Sequence, residues 1–380
     1  MAPLPRHARS TVAIGAALAL AGGLAAAVPA LAGQPAGPAS AAVALTDRHA
    51  GSDSGEHERH GYAEVPLVSD ITGLGAVTDA HSVNPWGIAF GPTTPLWVAD
   101  NGTSSSTLYA GANGSDPLSQ LGLVVSTPPQ PTGVVFNPTT SFKLPDGTPS
   151  RFVFVTLGGQ IAAWTVMPSA PPPTSATVVK VKRGAVLTGA ALARTGHGAR
   201  LYVADQAGNE VRVYDGAWHQ VRTIRDRTMP APLAPYNVAV LRDRLYVSYS
   251  VPEGVDSSGP EGAVDVFTLR GHFLRRLVIG DPLSGPWGMV VAPERFGRFS
   301  GDLLVGNEDG GRINAFDVRT GHFEGALSTP DGTPIAHDGM WGLAFGNGTI
   351  GTPTTLIFAA GIGEYGHGLV GAISAVESQD

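Results

Sequence analysis

Two short segments hold the densest chemistry in the chain: His337-Asp338-Gly339-Met340-Trp341-Gly342 and Gly361-Ile362-Gly363-Glu364-Tyr365-Gly366-His367-Gly368. Each joins histidine to a carboxylate inside a glycine-rich run. Glycine lets backbone approach a ligand closely, and His, Glu and Asp can move protons or hold metals. His337, Glu364 and His367 are the catalytic candidates. A second set is spread along the chain. Asn84, Trp86, Tyr236, Asn237, Trp287 and Trp341 stand at the starts of short apolar runs, and Asp100, Asn101, Asp205, Gln206, Asn307 and Glu308 stand at the ends of others. Acid and amide oxygens converging on one axis suit a hard cation such as Ca²⁺, and added histidine moves the preference toward Zn²⁺. Such a cation polarises a carbonyl or acidifies a bound water. A plainer reading stands beside this one. Asp and Asn at strand ends are ordinary turn formers, recurring tryptophans pack a core, and Glu308-Asp309-Gly310-Gly311 reads as a hairpin tip.

Much chemistry is excluded. The chain has no cysteine, so thiolate catalysis, disulfides and Cys-ligated metals are absent. No nucleophile elbow, P-loop, His-Glu-x-x-His or dinucleotide fingerprint occurs. The formal net charge is −7, and no Lys/Arg run tracks a phosphate backbone, so nucleic acid is not an expected partner.

The elements that must position these residues repeat six times. A turn with Gly or Asn leads into an apolar strand, and a second apolar strand follows. The first strands begin at Trp86-Gly87, Thr132-Gly133, Thr188-Gly189, Tyr236-Asn237, Trp287-Gly288 and Trp341-Gly342. Spacings between the anchors 87, 133, 189, 237, 288 and 342 run from 46 to 56 residues, enough for one four-stranded meander each. One meander cannot cover both of its faces, whereas radial stacking can. The expected fold is therefore all-β: a six-bladed β-propeller of four-stranded antiparallel blades, with a seven-bladed ring as the competitor. The strand Val65–Ile71 precedes the first anchor, and the last repeat runs out near its third strand at Leu369–Ala375. The N-terminal strand is expected to complete the last blade. In such a ring the starts of the inner strands and the loops after the second strands share one face, the channel mouth. Asn84, Trp86, Asp100, Asp205, Tyr236, Trp287 and Trp341 are the ligand-binding candidates there.

Residues 1–32 read as a signal peptide, with Arg6, His7 and Arg9 before an apolar stretch and Ala30-Leu31-Ala32 as the cleavage pattern. Residues 33–62 are Ala/Pro/Ser-rich and then polar, a linker composition. The propeller is expected over 63–380. No apolar tail follows, so the expectation is a released, secreted or cell-envelope monomer without a stable membrane anchor.

The segments Asn84-Pro85-Trp86-Gly87-Ile88-Ala89, 307–316, 337–348 and 364–371 resemble an uncharacterised family of exported bacterial proteins, some carrying a PEP-CTERM sorting tail. That resemblance implies the propeller and export, and no activity. More distantly, the repeats are similar to those of NHL-repeat and gluconolactonase-like propellers. The latter resemblance implies a divalent cation at the channel mouth, and Asn237, Asn307 and Asp338 are the positions that could hold it. Three functions remain open at this point: a secreted binding protein for a small molecule, glycan or protein; a metal-dependent lactonase- or esterase-like hydrolase; and a lyase or redox enzyme using a cofactor in the channel.

Overall fold

The sequence pattern closes into a ring. The computed structural model describes residues 61–166 and 171–376. The signal-peptide reading and nearly all of the linker reading lie outside these residues. Among the described residues the strands form six sheets, antiparallel except for one two-residue parallel pairing at the edge of the last. Blade 1 runs from an inner strand at Pro85–Ala89 through Leu96–Asp100 and Ser105–Ala110 to an outer edge split between Ser119–Gln120 and Val125–Ser126. The inner strands of blades 2 to 6 are Pro131–Phe136, Leu187–Thr195, Ala234–Leu241, Pro286–Val291 and Met340–Phe345. In blade 6 the fourth strand is Gly61–Ser69, paired antiparallel with Leu369–Val376, and the two-residue strand Val77–Thr78 pairs parallel outside it. The N-terminal strand therefore completes the last blade, as expected. It begins at Gly61, and Tyr62 is already buried, its hydroxyl donating to the Phe296 carbonyl oxygen at 3.0 Å.

Burial follows position in the blade. Second strands such as Phe152–Thr156 and Leu303–Asn307 are buried throughout, because both faces meet neighbouring blades. Outer strands such as Gln220–Ile224 are mostly exposed. The core is a set of six apolar clusters, one in each seam between successive blades, including the seam between blades 6 and 1. That last seam joins Val68, Ile357 and Val370 to Leu96, Val98 and Tyr109 and makes the ring continuous.

The anchor glycines explain the innermost layer. A Cβ at Gly87 would lie 2.6 Å from the Thr132 carbonyl oxygen, at Gly288 2.2 Å from that of Trp341, and at Gly342 2.6 Å from that of Trp86. Each anchor thus abuts the next inner strand too closely for a side chain. Blade 4 is the exception. Asn237 donates from Nδ2 to the Trp287 carbonyl oxygen at 2.8 Å, while its Oδ1 accepts from the Val238 amide at 2.8 Å. It fits because Gly189 of blade 3 leaves the space that Oδ1 occupies.

Candidate functional site

The residue before each anchor points the blade toward the axis, and these six are Trp86, Thr132, Thr188, Tyr236, Trp287 and Trp341. The four aromatic members form one buried cluster. Trp86 and Trp341 stack with centroids 4.0 Å apart and an interplanar angle of 21°. Trp287 meets both edge-on, at 6.1 and 6.3 Å, and Tyr236 does so at 6.4 and 6.2 Å. Edge-to-face geometry places the positive ring rim against the negative ring face. The indole N–H groups are all satisfied. Asn84, at φ +45°, accepts at Oδ1 from Trp86 (3.1 Å) and Trp341 (3.0 Å). Trp287 donates to the Thr188 carbonyl oxygen at 2.9 Å, spanning from blade 5 to blade 3. An aromatic plug thus fills the channel at this level.

Above the plug lies a carboxylate. Glu308, in the loop after the second strand of blade 5, accepts the Tyr236 phenol at Oε2 (2.7 Å) and the Tyr365 phenol at Oε1 (2.9 Å). The Tyr365 ring tilts over Trp341 at 6.0 Å. Burial pushes the Tyr236 hydroxyl well above the ordinary phenol range, and the Glu308 charge adds to it. Tyr365 is raised by the same two causes, with further contributions from Asp309 and Asp338. Both phenols are neutral hydrogen-bond donors at physiological pH, in a negative field.

The other candidates fall into place around this centre. Asp205 is fully buried and paired with Arg212 Nε at 2.7 Å; its Oδ1 accepts from the Gly208 amide at 2.9 Å. Asp100 holds the corresponding strand end in blade 1, where Thr107 stands in the register position of Arg212. Thr107 donates to its Oδ2 at 2.9 Å, and burial pushes its carboxyl well above the usual range. Asn101 Nδ2 donates to the Pro131 carbonyl oxygen at 3.1 Å.

His337 is drawn to the blade edge: its Nε2 lies 2.6 Å from Glu64 Oε1, and its ring stacks on Phe358 at 5.4 Å. His367 Nδ1 lies 2.7 Å from Asp70 Oδ2. Glu364 is exposed, at φ +55°. The three catalytic candidates are therefore not brought onto one reacting atom. Two of them instead tie the closing N-terminal segment to blade 6.

The amide–carboxylate set does not fit a divalent cation. Both ends of the Asn237 amide meet backbone. Asn307 donates from Nδ2 to the Arg312 carbonyl oxygen (3.0 Å), and its Oδ1 accepts from the Ser284 amide (3.0 Å). Asp338 acts on the Tyr365 phenol, whose pKa its charge helps to raise. Among the described residues no three His, Asp or Glu side chains are grouped so as to hold a metal ion.

Sequence reasoning passed over Tyr365, and it placed Glu308 among the mouth residues without carrying it into the ligand-binding set. The hairpin-tip reading of Glu308 hid its role, and in the Gly361–Gly368 run the neighbours Glu364 and His367 drew attention from the tyrosine between them. Position was the available signal, because both follow second strands.

No family model matches the chain. The uncharacterized protein R648 of Acanthamoeba polyphaga mimivirus is 31% identical over 325 residues, covering 81% of this chain and 78% of its own length. The uncharacterized protein L690 of the same virus is 30% identical over 325 residues, covering 81% and 84%. Among solved structures, the chain is similar to a streptogramin B lyase, with a TM-score of 0.48, 10% identity, and coverage of 83% of this chain and 98% of that one. It is also similar to a Bacteroides uniformis protein provisionally named a 6-phosphogluconolactonase, with a TM-score of 0.42, 16% identity, and coverage of 66% and 70%.

Proposed function

The chain belongs to the same family as the mimivirus proteins R648 and L690, and from that premise we propose that it is a secreted binding protein whose ligand sits on the channel mouth. The observation that carries this reading is the Tyr236–Glu308–Tyr365 bridge over the aromatic plug. The plug closes the axis, so a ligand meets a rigid aromatic and acidic surface. Buried aromatics with a few convergent polar groups are what binding surfaces use to fix orientation. The seams that hold the blades together are built from other side chains, so Glu308 and Tyr236 are replaceable without unmaking the blades. A hydrolytic reading lacks support at the same place: its three candidate side chains are dispersed, and its amide donors are occupied by backbone.

The test is a thermal-shift screen of the full chain against oligosaccharides, amines, carboxylates and peptides, repeated on Glu308→Gln/Tyr236→Phe and on the outer-strand variant Phe273→Ser. Phe273 is 47% exposed and remote from the mouth. A ligand that stabilises wild type and Phe273→Ser, and loses its effect on the mouth variant, supports the proposal. Ligands whose effect is indifferent to the mouth substitutions sink it.

A further inference from the structure

We infer that the slot over Trp341 is a ligand subsite that Tyr365 fills in the resting protein, and that its ligand is a flat apolar group bearing an ammonium or guanidinium, which replaces Tyr365 as donor to Glu308. The inference rests on the mouth-binding reading above and names its ligand class.

The slot is defined by what borders the Tyr365 ring. Trp341 lies on one side. Gly339 and Gly361 lie along the ring edge: a Cβ added to Gly339 would be 2.9 Å from its Cε1, and one added to Gly361 3.0 Å from its Cδ1. At the far end the phenol donates to Glu308 Oε1 at 2.9 Å. An aromatic wall, two glycines and a terminal acceptor specify a space one ring wide with a donor at its tip. Tyr365 is one occupant of that description.

The loop that carries Tyr365 is built to let go. Gly363, Glu364 and Tyr365 have φ of +60°, +55° and +65°, three successive residues in the left-handed region, two of them with side chains. Residues with a Cβ visit that region sparingly, and such strain persists only where the surroundings hold it. Here a bond across the turn itself, from the Gly366 amide to the Gly363 carbonyl oxygen, holds it together with the Trp341 face and the Glu308 bond. The ends of the loop are fixed: the Gly361 amide donates to the Gly339 carbonyl oxygen at 2.9 Å, the His367 amide to that of Ile362 at 3.1 Å, and the Gly368 amide to Asp70 Oδ1 at 2.8 Å. The tip is a turn closed by the Gly366 amide donating to the Gly363 carbonyl oxygen at 3.1 Å, so it can swing as a unit against fixed ends and carry the Tyr365 ring out of the slot.

The charge of the incoming group follows from the field. Glu308, Asp309 and Asp338 all act on the phenol oxygen in the same direction, disfavouring negative charge there. A cationic donor gains from that field where a neutral phenol does not, and its bond to a carboxylate is stronger than a neutral one. Cations also favour aromatic faces.

The test uses benzylammonium as the probe, with benzyl alcohol and benzoate as neutral and anionic comparators, in calorimetric titrations of the full chain. Wild type is expected to prefer benzylammonium to both comparators. Tyr365→Gly, which empties the slot, is expected to bind it about tenfold tighter, since the closed fraction no longer competes. Glu308→Gln is expected to erase the preference over benzyl alcohol. If Tyr365→Gly does not fold, Tyr365→Phe keeps the ring, loses the Glu308 bond, and should still bind the probe more tightly than wild type. Unchanged affinity in a folded Tyr365 variant, or benzylammonium binding unaffected by Glu308→Gln, overturns the inference. If benzoate or benzyl alcohol binds best and Glu308→Gln/Tyr236→Phe abolishes that binding, the cationic class falls while the mouth reading stands. If no probe binds even to a folded Tyr365→Gly, the subsite itself is refuted, and the mouth reading is then decided by the thermal-shift screen.

Discussion

Blades 2 and 3 place threonine where blades 1, 4, 5 and 6 place Trp86, Tyr236, Trp287 and Trp341. The two halves of the channel use the same backbone position for different work. On the aromatic side, a stacked tryptophan pair is met edge-on by Trp287 and Tyr236, and the four rings send their polar atoms to Asn84, Thr188 and Glu308. On the threonine side, Thr132 donates to the Leu187 carbonyl oxygen at 2.8 Å, and Thr188 lends its carbonyl to the Trp287 indole. A ring of six aromatics has no room to close. Two small residues on one side let large ones from the opposite side cross the axis. The mouth is asymmetric for that reason, and its acidic, tyrosine-lined rim belongs to blades 4 to 6.

Substitutions can break this contrast, and the largest effect is expected on the aromatic side. Trp341→Ala should cost about 3–5 kcal/mol in urea unfolding, because the stacked partner of Trp86 leaves a cavity in a rigid ring. A cost below about 1 kcal/mol would mean the plug collapses freely and is not a fixed platform. Next comes Gly288→Ala. Its new Cβ meets the Trp341 carbonyl oxygen, backbone that cannot swing aside, and a loss of about 3 kcal/mol is expected by the same measurement. Asn84→Ala removes the shared acceptor of two buried indoles. About 2 kcal/mol should be lost, with a change in the near-ultraviolet circular dichroism of the tryptophans.

The threonine side should respond weakly and unequally. Thr132→Val loses a buried hydrogen bond and should cost about 1 kcal/mol, whereas Thr188→Val removes a buried hydroxyl that has no partner and should be neutral or stabilising. Equal costs for the pair would show that Thr188 has a role the hydrogen-bond geometry does not reveal.

A pH-dependent effect lies away from the mouth, in blade 4. Burial pushes the Asp265 carboxyl up to about 7, against the pull of Arg276. An unfolded carboxyl ionises near about 3.9, so between these values the folded chain keeps a proton that the unfolded chain has lost. Stability contributed by this group therefore falls as pH rises from about 4 to about 7. Unfolding midpoints across that range should slope downward in wild type and flatten in Asp265→Asn; an unchanged slope would assign the effect to other groups.

Much of the architecture was legible in the chain alone. The six anchors and the buried second strands are local patterns, and they survive translation into structure because blades 1 to 5 are each made from one contiguous stretch; the closing strand was legible because the last repeat ran out one strand short. The mouth was legible as a place. Trp86, Tyr236, Trp287 and Trp341 do converge, while Asp205 and Asn307 turn into their own blades, the first toward Arg212 and the second toward its own hairpin and Ser284. His337 and His367 were conspicuous by residue type, yet they meet Glu64 and Asp70, which no spacing rule links to them.

The sequence by itself determined the repeat, the number of blades and the glycines at the axis, since these follow from periodicity and from the crowding of six strands around one line. Only the tertiary structure decided which side chains share a neighbour across 57 or 72 positions, as Glu308 does with Tyr365 and Tyr236. Ring closure sets those meetings. Residues far apart in the chain are brought to one mouth by the curvature of the whole ring, and no local pattern encodes which loop bends inward and which bends away.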